Sequence, residues 1–218
     1  NGYMDWDQIK ELSEKDFVEI GNHSHTHGYL ADENNKKIKN DIEKSISIFK
    51  NKLGKNSDFF SYPFGEYSLE FKSIIQSLGF KYAFGQHSGV MDKTKDYYEL
   101  PRFPINEKYG EVKRFNSLTK TLPFKFKKIY PEEKYLLQGK NPPKVKIVFY
   151  ENINNLKSLT CYSNENDKWR KSDIEFQNTN TLLVNINEKF IGERGRINCS
   201  LRDPSGFWRW LGIQFVLG

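Results

Sequence analysis

Glu19-Ile20-Gly21-Asn22-His23-Ser24-His25-Thr26-His27 is the stretch on which the reading of this chain turns. Three of the four histidines in the chain fall between positions 23 and 27, directly after an apolar run. Neutral imidazole nitrogens suit a borderline metal such as zinc, and catalytic zinc sites commonly take three protein ligands and leave one position open. His23 and His27 stand four residues apart, and a loop at the end of a strand can fold two such rings round one ion. A solvated polar loop produces the same pattern, so the spacing gains meaning only from its surroundings.

Working outward, Phe17 to Gly21 reads as a buried strand that runs into the histidines. Before it, Asp5 to Glu14 reads as a short amphipathic helix, with Asp5 as N-cap and Trp6, Ile9 and Leu12 as its apolar stripe. After it, Asp32 to Lys52 is helical by pattern, with Ile38, Ile42, Ile46 and Phe49 on one face and Gly54 as the stop. Phe59 to Tyr62 is a second strand, ending in Pro63-Phe64-Gly65. Ser68 to Leu78 is a third helix closed by Gly79, and Phe80 to Phe84 a third strand. Strand and helix alternate over short connections, the pattern of a parallel α/β sheet or barrel. In such folds the working residues sit in loops after the C-terminal ends of strands. His23–His27, Pro63–Gly65 and Gly85-Gln86-His87-Ser88-Gly89 therefore point to one face.

The 218 residues suffice for one large domain or two small ones. Hydrophobic content is 37% and the mean hydropathy −0.75, polar for a globular chain, yet 17 Phe, 12 Tyr and 4 Trp supply bulk for a core. Lys and Arg exceed Asp and Glu by 34 to 28, a net charge of +6, and the excess is spread among Asn and Glu as on a solvated surface. Lys125, Lys127 and Lys128 form a basic cluster, but no nucleic-acid motif accompanies it, so nucleic acid is not an expected partner. No run approaches the ~18 apolar residues of a membrane span. The chain starts at Asn1 with no targeting segment, and an internal or processed piece of a longer protein is expected. Cys161 and Cys199 form one disulfide if the compartment is oxidising, or remain buried thiols; the sequence leaves both open.

After Ile105 the alternation stops. Residues 107–143 are basic and broken by Pro123, Pro131, Pro142 and Pro143, and read as an irregular linker. From Lys144 the pattern changes to short strands, at 145–150, 158–162, 174–176, 181–186 and 196–201. A hairpin turn at Asp203-Pro204-Ser205-Gly206 then leads into a last strand at 207–216. A small antiparallel β-sandwich is expected over 144–218, behind a unit covering 1–106. Trp208 and Trp210 share one strand face, for which packing against an opposite sheet outweighs the alternative of stacking on sugar rings. Trp169 reads as exposed.

Two motifs together carry a family resemblance. The histidine stretch resembles the H-[ST]-x-x-H metal motif of polysaccharide deacetylases, the NodB-homology or carbohydrate esterase 4 family. Phe60-Ser61-Tyr62-Pro63-Phe64-Gly65-Glu66-Tyr67 resembles that family's next motif, R-x-P-[YF]-G. Gly79 to Phe84 and Glu99-Leu100-Pro101-Arg102-Phe103 look like later strands of the same domain, and the resemblance covers roughly residues 1–106. Asn198-Cys199-Ser200 with Gly206-Phe207-Trp208-Arg209-Trp210 resembles a C-terminal extension of some bacterial members.

The resemblance implies a partial NodB-like (β/α) barrel and a metal-dependent hydrolase that removes N-acetyl groups from a secreted, periplasmic or cell-surface polysaccharide. It implies that His23 and His27 bind a divalent metal, zinc by donor type, with Ser24 holding the loop and His25 and Thr26 as spacers. The Phe64 N–H, fixed by Pro63, would complete an oxyanion hole. His87, the remaining histidine, is the candidate to protonate the leaving amine, although its setting differs from the family's L-x-H. A loop histidine lining the groove is the alternative.

Two departures qualify this. Nothing like the family's T-F-D-D occurs in residues 1–22, where Asp5 and Asp7 belong to the helix, and Ser61 stands where an arginine often orients the base. The chain is accordingly expected to lack the first strand and the aspartates, to be inactive by itself, and to self-associate through an exposed sheet edge. The alternative is a catalytically degenerate glycan-binding or structural protein on the same fold.

Overall fold

The structure, a computed structural model, describes residues 2–150, 155–166 and 168–218. In the first half, α1 (Trp6–Ser13) is started by a capping box: the Asp5 carboxylate accepts the Gln8 N–H, and the Gln8 side chain accepts the Asp5 N–H, both at 2.9 Å. None of its residues is buried. Helix α2 (Asn35–Leu53) is capped by Asn34, ends at Gly54 in the left-handed region (φ +71°), and buries Ile38, Ile42, Ser45 and Phe49 along one stripe. Strand β1 (Phe59–Ser61) pairs in parallel with β2 (Tyr82–Phe84), and α3 (Leu69–Ser77) connects them behind an N-cap at Ser68. Phe60, Tyr62, Phe71, Ile75 and Ala83 close completely from solvent, forming with Ile38 and Ile42 the first hydrophobic core.

The strand expected at Phe17–Gly21 does not form. Phe17 is 88% exposed, and only Asn22 reaches the sheet: its N–H donates to the Phe59 carbonyl (2.8 Å) and its carbonyl accepts the Ser61 N–H (2.9 Å). With β1 three residues long, the edge offers no partner to the residues before Asn22. On the other side of β2, Phe84 bridges Leu100 in parallel.

Residues 107–143, expected as an irregular linker, instead carry α4 (Val112–Leu118), β3 (Leu122–Pro123), β4 (Phe126–Tyr130) and β5 (Tyr135–Leu136). A register shift between Phe126 and Lys128 breaks the period-two pattern of β4, and β3 and β5 are too short to show one. The strands that follow are β6 (Val145–Phe149), β7 (Thr160–Glu165), β8 (Lys168–Lys171), β9 (Asp173–Phe176), β10 (Thr181–Asn185), β11 (Arg194–Arg202) and β12 (Trp208–Leu217). One sheet runs β4-β6-β10-β9, antiparallel throughout. The second runs β3-β12-β11-β7-β8, its main pairings antiparallel, with β3 and β5 added to β12 in parallel.

Val145, Ile147, Phe149, Leu182 and Val184 from the first sheet share one core with Ile197, Leu201, Leu211, Ile213 and Phe215 from the second. Cys161 and Cys199 are register partners on β7 and β11, and they are joined as a disulfide. Trp208 does not pack in the core; it is 45% exposed. Trp210, half-buried, meets Phe103 edge-on at 6.1 Å, so its packing is against the first half of the chain rather than an opposite sheet. Trp169 is exposed.

Strand β12 also passes directly over the loop after β2. Gly89 bridges Leu211, and a Cβ on Gly212 would lie 2.5 Å from the Ser88 nitrogen, so only glycine admits that approach.

Candidate active site

The histidine loop is braced by α2. The Asp41 carboxylate accepts the His25 N–H (2.8 Å), the Thr26 N–H (3.1 Å) and the Thr26 hydroxyl (2.6 Å). One helical turn on, the buried Ser45 hydroxyl donates to Asn22 Oδ1 (2.9 Å), which also accepts the Ser24 N–H (3.1 Å). Ser24 Oγ in turn accepts the His27 N–H at 3.1 Å. Ser24 and His27 both adopt left-handed backbone (φ +67° and +53°), a conformation such residues keep only when their surroundings hold it.

These contacts bring the two candidate ligands together. The rings of His23 and His27 lie with centroids 4.8 Å apart, and His27 meets the Phe64 ring at 4.7 Å. His23 Nδ1 lies 2.6 Å from the Ser61 carbonyl oxygen. A carbonyl only accepts, so this nitrogen carries the proton and Nε2 keeps its lone pair. Loss of hydration lowers the His23 pKa, with the charges of His27 and Arg102 adding to the effect and the Ser61 bond opposing it. A ring held neutral is one ready to ligate. Two imidazoles bound through one nitrogen each to a tetrahedral zinc place their centres roughly 5 Å apart. The pair therefore fits two positions of such a site. Among the described residues, no group of three His, Cys, Asp or Glu side chains is gathered round one point.

The second motif lies against the histidine pair through the His27–Phe64 ring contact. Pro63, Phe64 and Gly65 make a tight turn in which Phe64 (φ +57°) and Gly65 (φ +70°) are both left-handed. Tyr29 stacks on the Phe64 ring at 4.3 Å. Glu66, 3% exposed, accepts from Arg194 Nε at 2.7 Å; burial raises its carboxyl pKa, with Arg194 pulling the other way. Ser61 Oγ is buried with no hydrogen-bond partner among the described residues.

His87 is placed elsewhere. It lines a crevice with Tyr67, Lys95, Glu99, Lys134 and Trp210, and neither His23, His27 nor Phe64 lines it. Its Nδ1 is sealed from water, and burial, with the charge of Lys134 adding, pulls its pKa down to about 4.

Sequence reasoning did not single out Asp41, Arg102, Glu66 or Arg194. Asp41 had one visible signal, as the first acid after the basic run Lys36-Lys37-Ile38-Lys39-Asn40. Arg194 had none, since 128 residues separate it from Glu66.

Residues 1–83 match the family model described as polysaccharide deacetylase. Among solved structures, a Streptococcus pyogenes deacetylase, PplD in complex with acetate, is 18% identical with a TM-score of 0.48, covering 52% of this chain and 49% of that one. IcaB from Ammonifex degensii is 20% identical with a TM-score of 0.43, covering 47% and 48%. A de-N-acetylase from Aggregatibacter actinomycetemcomitans is 18% identical with a TM-score of 0.45, covering 53% of each chain. The chain thus spans about half the length of these solved chains. No curated protein sequence matches it. The part of the chain that matches the polysaccharide deacetylase model, residues 1–83, holds both the histidine pair and the Pro63–Gly65 turn.

Proposed function

We propose that this chain belongs to a metal-dependent hydrolase that removes N-acetyl groups from a polysaccharide, and that His23 and His27 supply two of the metal ligands. The observation that carries the reading is the His23 Nδ1 bond to the Ser61 carbonyl, which leaves Nε2 unprotonated beside the His27 ring. When bound, a divalent ion, zinc by donor type, polarises an acetyl carbonyl and lowers the pKa of a water.

The chain's own residues orient the rest. Asp41 and Asn22 hold the histidine loop, Pro63 shapes the turn, and the Phe64 N–H is the candidate donor to a developing oxyanion. No residue of the chain is assigned as third ligand or general base in this reading. His87 has no part in proton donation in this reading, because a ring with a pKa of about 4 is neutral near pH 7 and lines another crevice. The substrate implies an extracellular or periplasmic setting, and no helix among the described residues is long and apolar enough to cross a membrane. The two sheets that share the second core are read as a β-sandwich. Self-association of copies through an exposed sheet edge belongs to the same reading, and a clean monomer in size-exclusion at high concentration would count against it.

The test is zinc titration by calorimetry. His23→Ala and His27→Ala should abolish binding while His25→Ala retains it. Loss on changing His25 but not His23 would show the ligand pair to be wrong. Ser61, in place of a base-orienting arginine, favours a second reading, a degenerate glycan-binding protein. Binding of N-acetylglucosamine oligomers by a chain that takes up no zinc would establish that instead.

A further inference from the structure

The turn that carries Phe64 is held from the second sheet. Phe64 is left-handed without being glycine, a conformation that a residue with a Cβ leaves unless its surroundings hold it. Gly65 follows in the same region, and a Cβ there would lie 2.3 Å from the Gln86 nitrogen. The contacts that hold this pair come largely from β11 and β12. Gln214, 3% exposed, donates from Nε2 to the Phe64 carbonyl at 3.2 Å. Its Oε1 accepts from Arg196 Nε at 3.2 Å, and the two residues are register partners across the strands.

Arg194, two residues before Arg196 and so on the same strand face, donates to Glu66 and lies 5.8 Å from the Phe64 ring centroid. Its neighbour Glu193 accepts the Tyr29 hydroxyl at 3.2 Å, tying down the ring that stacks on Phe64. Alternation along β11 sends Ile197 and Cys199 into the core and turns the arginines toward the turn.

We propose that Arg194 and Gln214 are positioning residues of the candidate site. They hold Phe64 in its left-handed conformation and so aim its N–H at the place an acyl oxygen would occupy. The β strands are then a working half of the site rather than an appendage. The link to acyl binding rests on the deacetylase reading; the brace itself does not.

Amide hydrogen exchange and NMR of the full chain test this, with Gln214→Leu and Arg194→Met as variants. Arg209→Met is the control, since Arg209 sits on the same β12 but contacts Asp203 and the Pro123 carbonyl. Exchange at the Gly65 and Glu66 amides should rise about tenfold in both variants, the scale set by one lost buried hydrogen bond, and the His27 ring resonances should move. The control should change neither. Unchanged turn amides, or an equal change in the control, would overturn the brace.

The second arm measures acetate binding to the zinc-loaded chain. Gln214→Leu should weaken acetate by about tenfold with zinc affinity unaltered. Equal acetate affinity in wild type and variant would overturn the aiming role. A wild-type chain that binds no zinc would sink the deacetylase reading, while the exchange data still decide the brace.

Discussion

Protonating His87 should loosen the fold, and the size of the effect follows from where the ring sits. In the unfolded chain the imidazole titrates near 6.5, whereas in the crevice burial and the Lys134 charge take it down to about 4. Between these values the unfolded chain binds the extra proton, so stability is complete above about pH 6.5 and falls as the pH drops toward 4. A gap of about 2.5 units corresponds to about 3 kcal/mol, and the partial exposure of the residue makes that a ceiling.

Lys95 faces the same crevice, held near the Phe124 carbonyl and 4.0 Å from the Phe126 ring centroid, and burial pulls its pKa to about 8. Asp92 and Glu99 supply opposing charge. Because ordinary carboxylates also titrate at the acid end, the informative quantity is the difference between wild type and His87→Gln in urea melts from pH 8 to 4.5. The wild type should lose stability relative to the variant across that span, and the His87 ring should show an NMR midpoint well under 6. A midpoint near 6.5, or parallel curves for the two proteins, would refute the reasoning. It would also return His87 to the list of candidate proton donors.

Three further outcomes are expected. Arg194→Met leaves the nearly enclosed Glu66 carboxylate without its partner and should cost about 2–3 kcal/mol in urea melts at pH 8, at the low end for a broken buried pair because Arg194 keeps some water. The cost should shrink as the pH falls through the raised carboxyl pKa, and a pH-independent loss would show that Glu66 is not the cause. Asp41→Ala removes the acceptor for three donors of the histidine loop, so zinc affinity should fall about tenfold or more although Asp41 touches no metal; unchanged affinity in calorimetry would exclude that role. Opening the Cys161–Cys199 bridge, which spans a sequence separation of 38, should cost up to about 4 kcal/mol by chain entropy, read as a drop in the urea midpoint of the Cys161→Ala/Cys199→Ala pair.

The parts of this protein that the sequence determined by itself are those whose cause is local. The Asp5 capping box, the α2 stripe of Ile38, Ile42 and Phe49, and the left-handed stop at Gly54 each depend on residues within a turn or two of one another. The two motifs were legible for the same reason: the spacing of His23 and His27 and the order Pro63-Phe64-Gly65 are local patterns.

Tertiary structure alone decided the rest. Phe17–Gly21 has the composition of a strand, yet whether it becomes one depends on an edge that β1 is too short to offer. Residues 122–136 look irregular because β3 and β5 exist only as additions to β12, and β4 hides its alternation behind a bulge. His87 shares its loop position with the other motif residues, but the passage of β12, at Leu211 and Gly212, over Ser88 and Gly89 encloses it in a different crevice. Glu66 finds Arg194 across 128 residues, and no periodicity encodes a contact of that range. Local spacing chose the candidate chemistry; the packing of the β strands against the Phe64 turn decided which residues surround it.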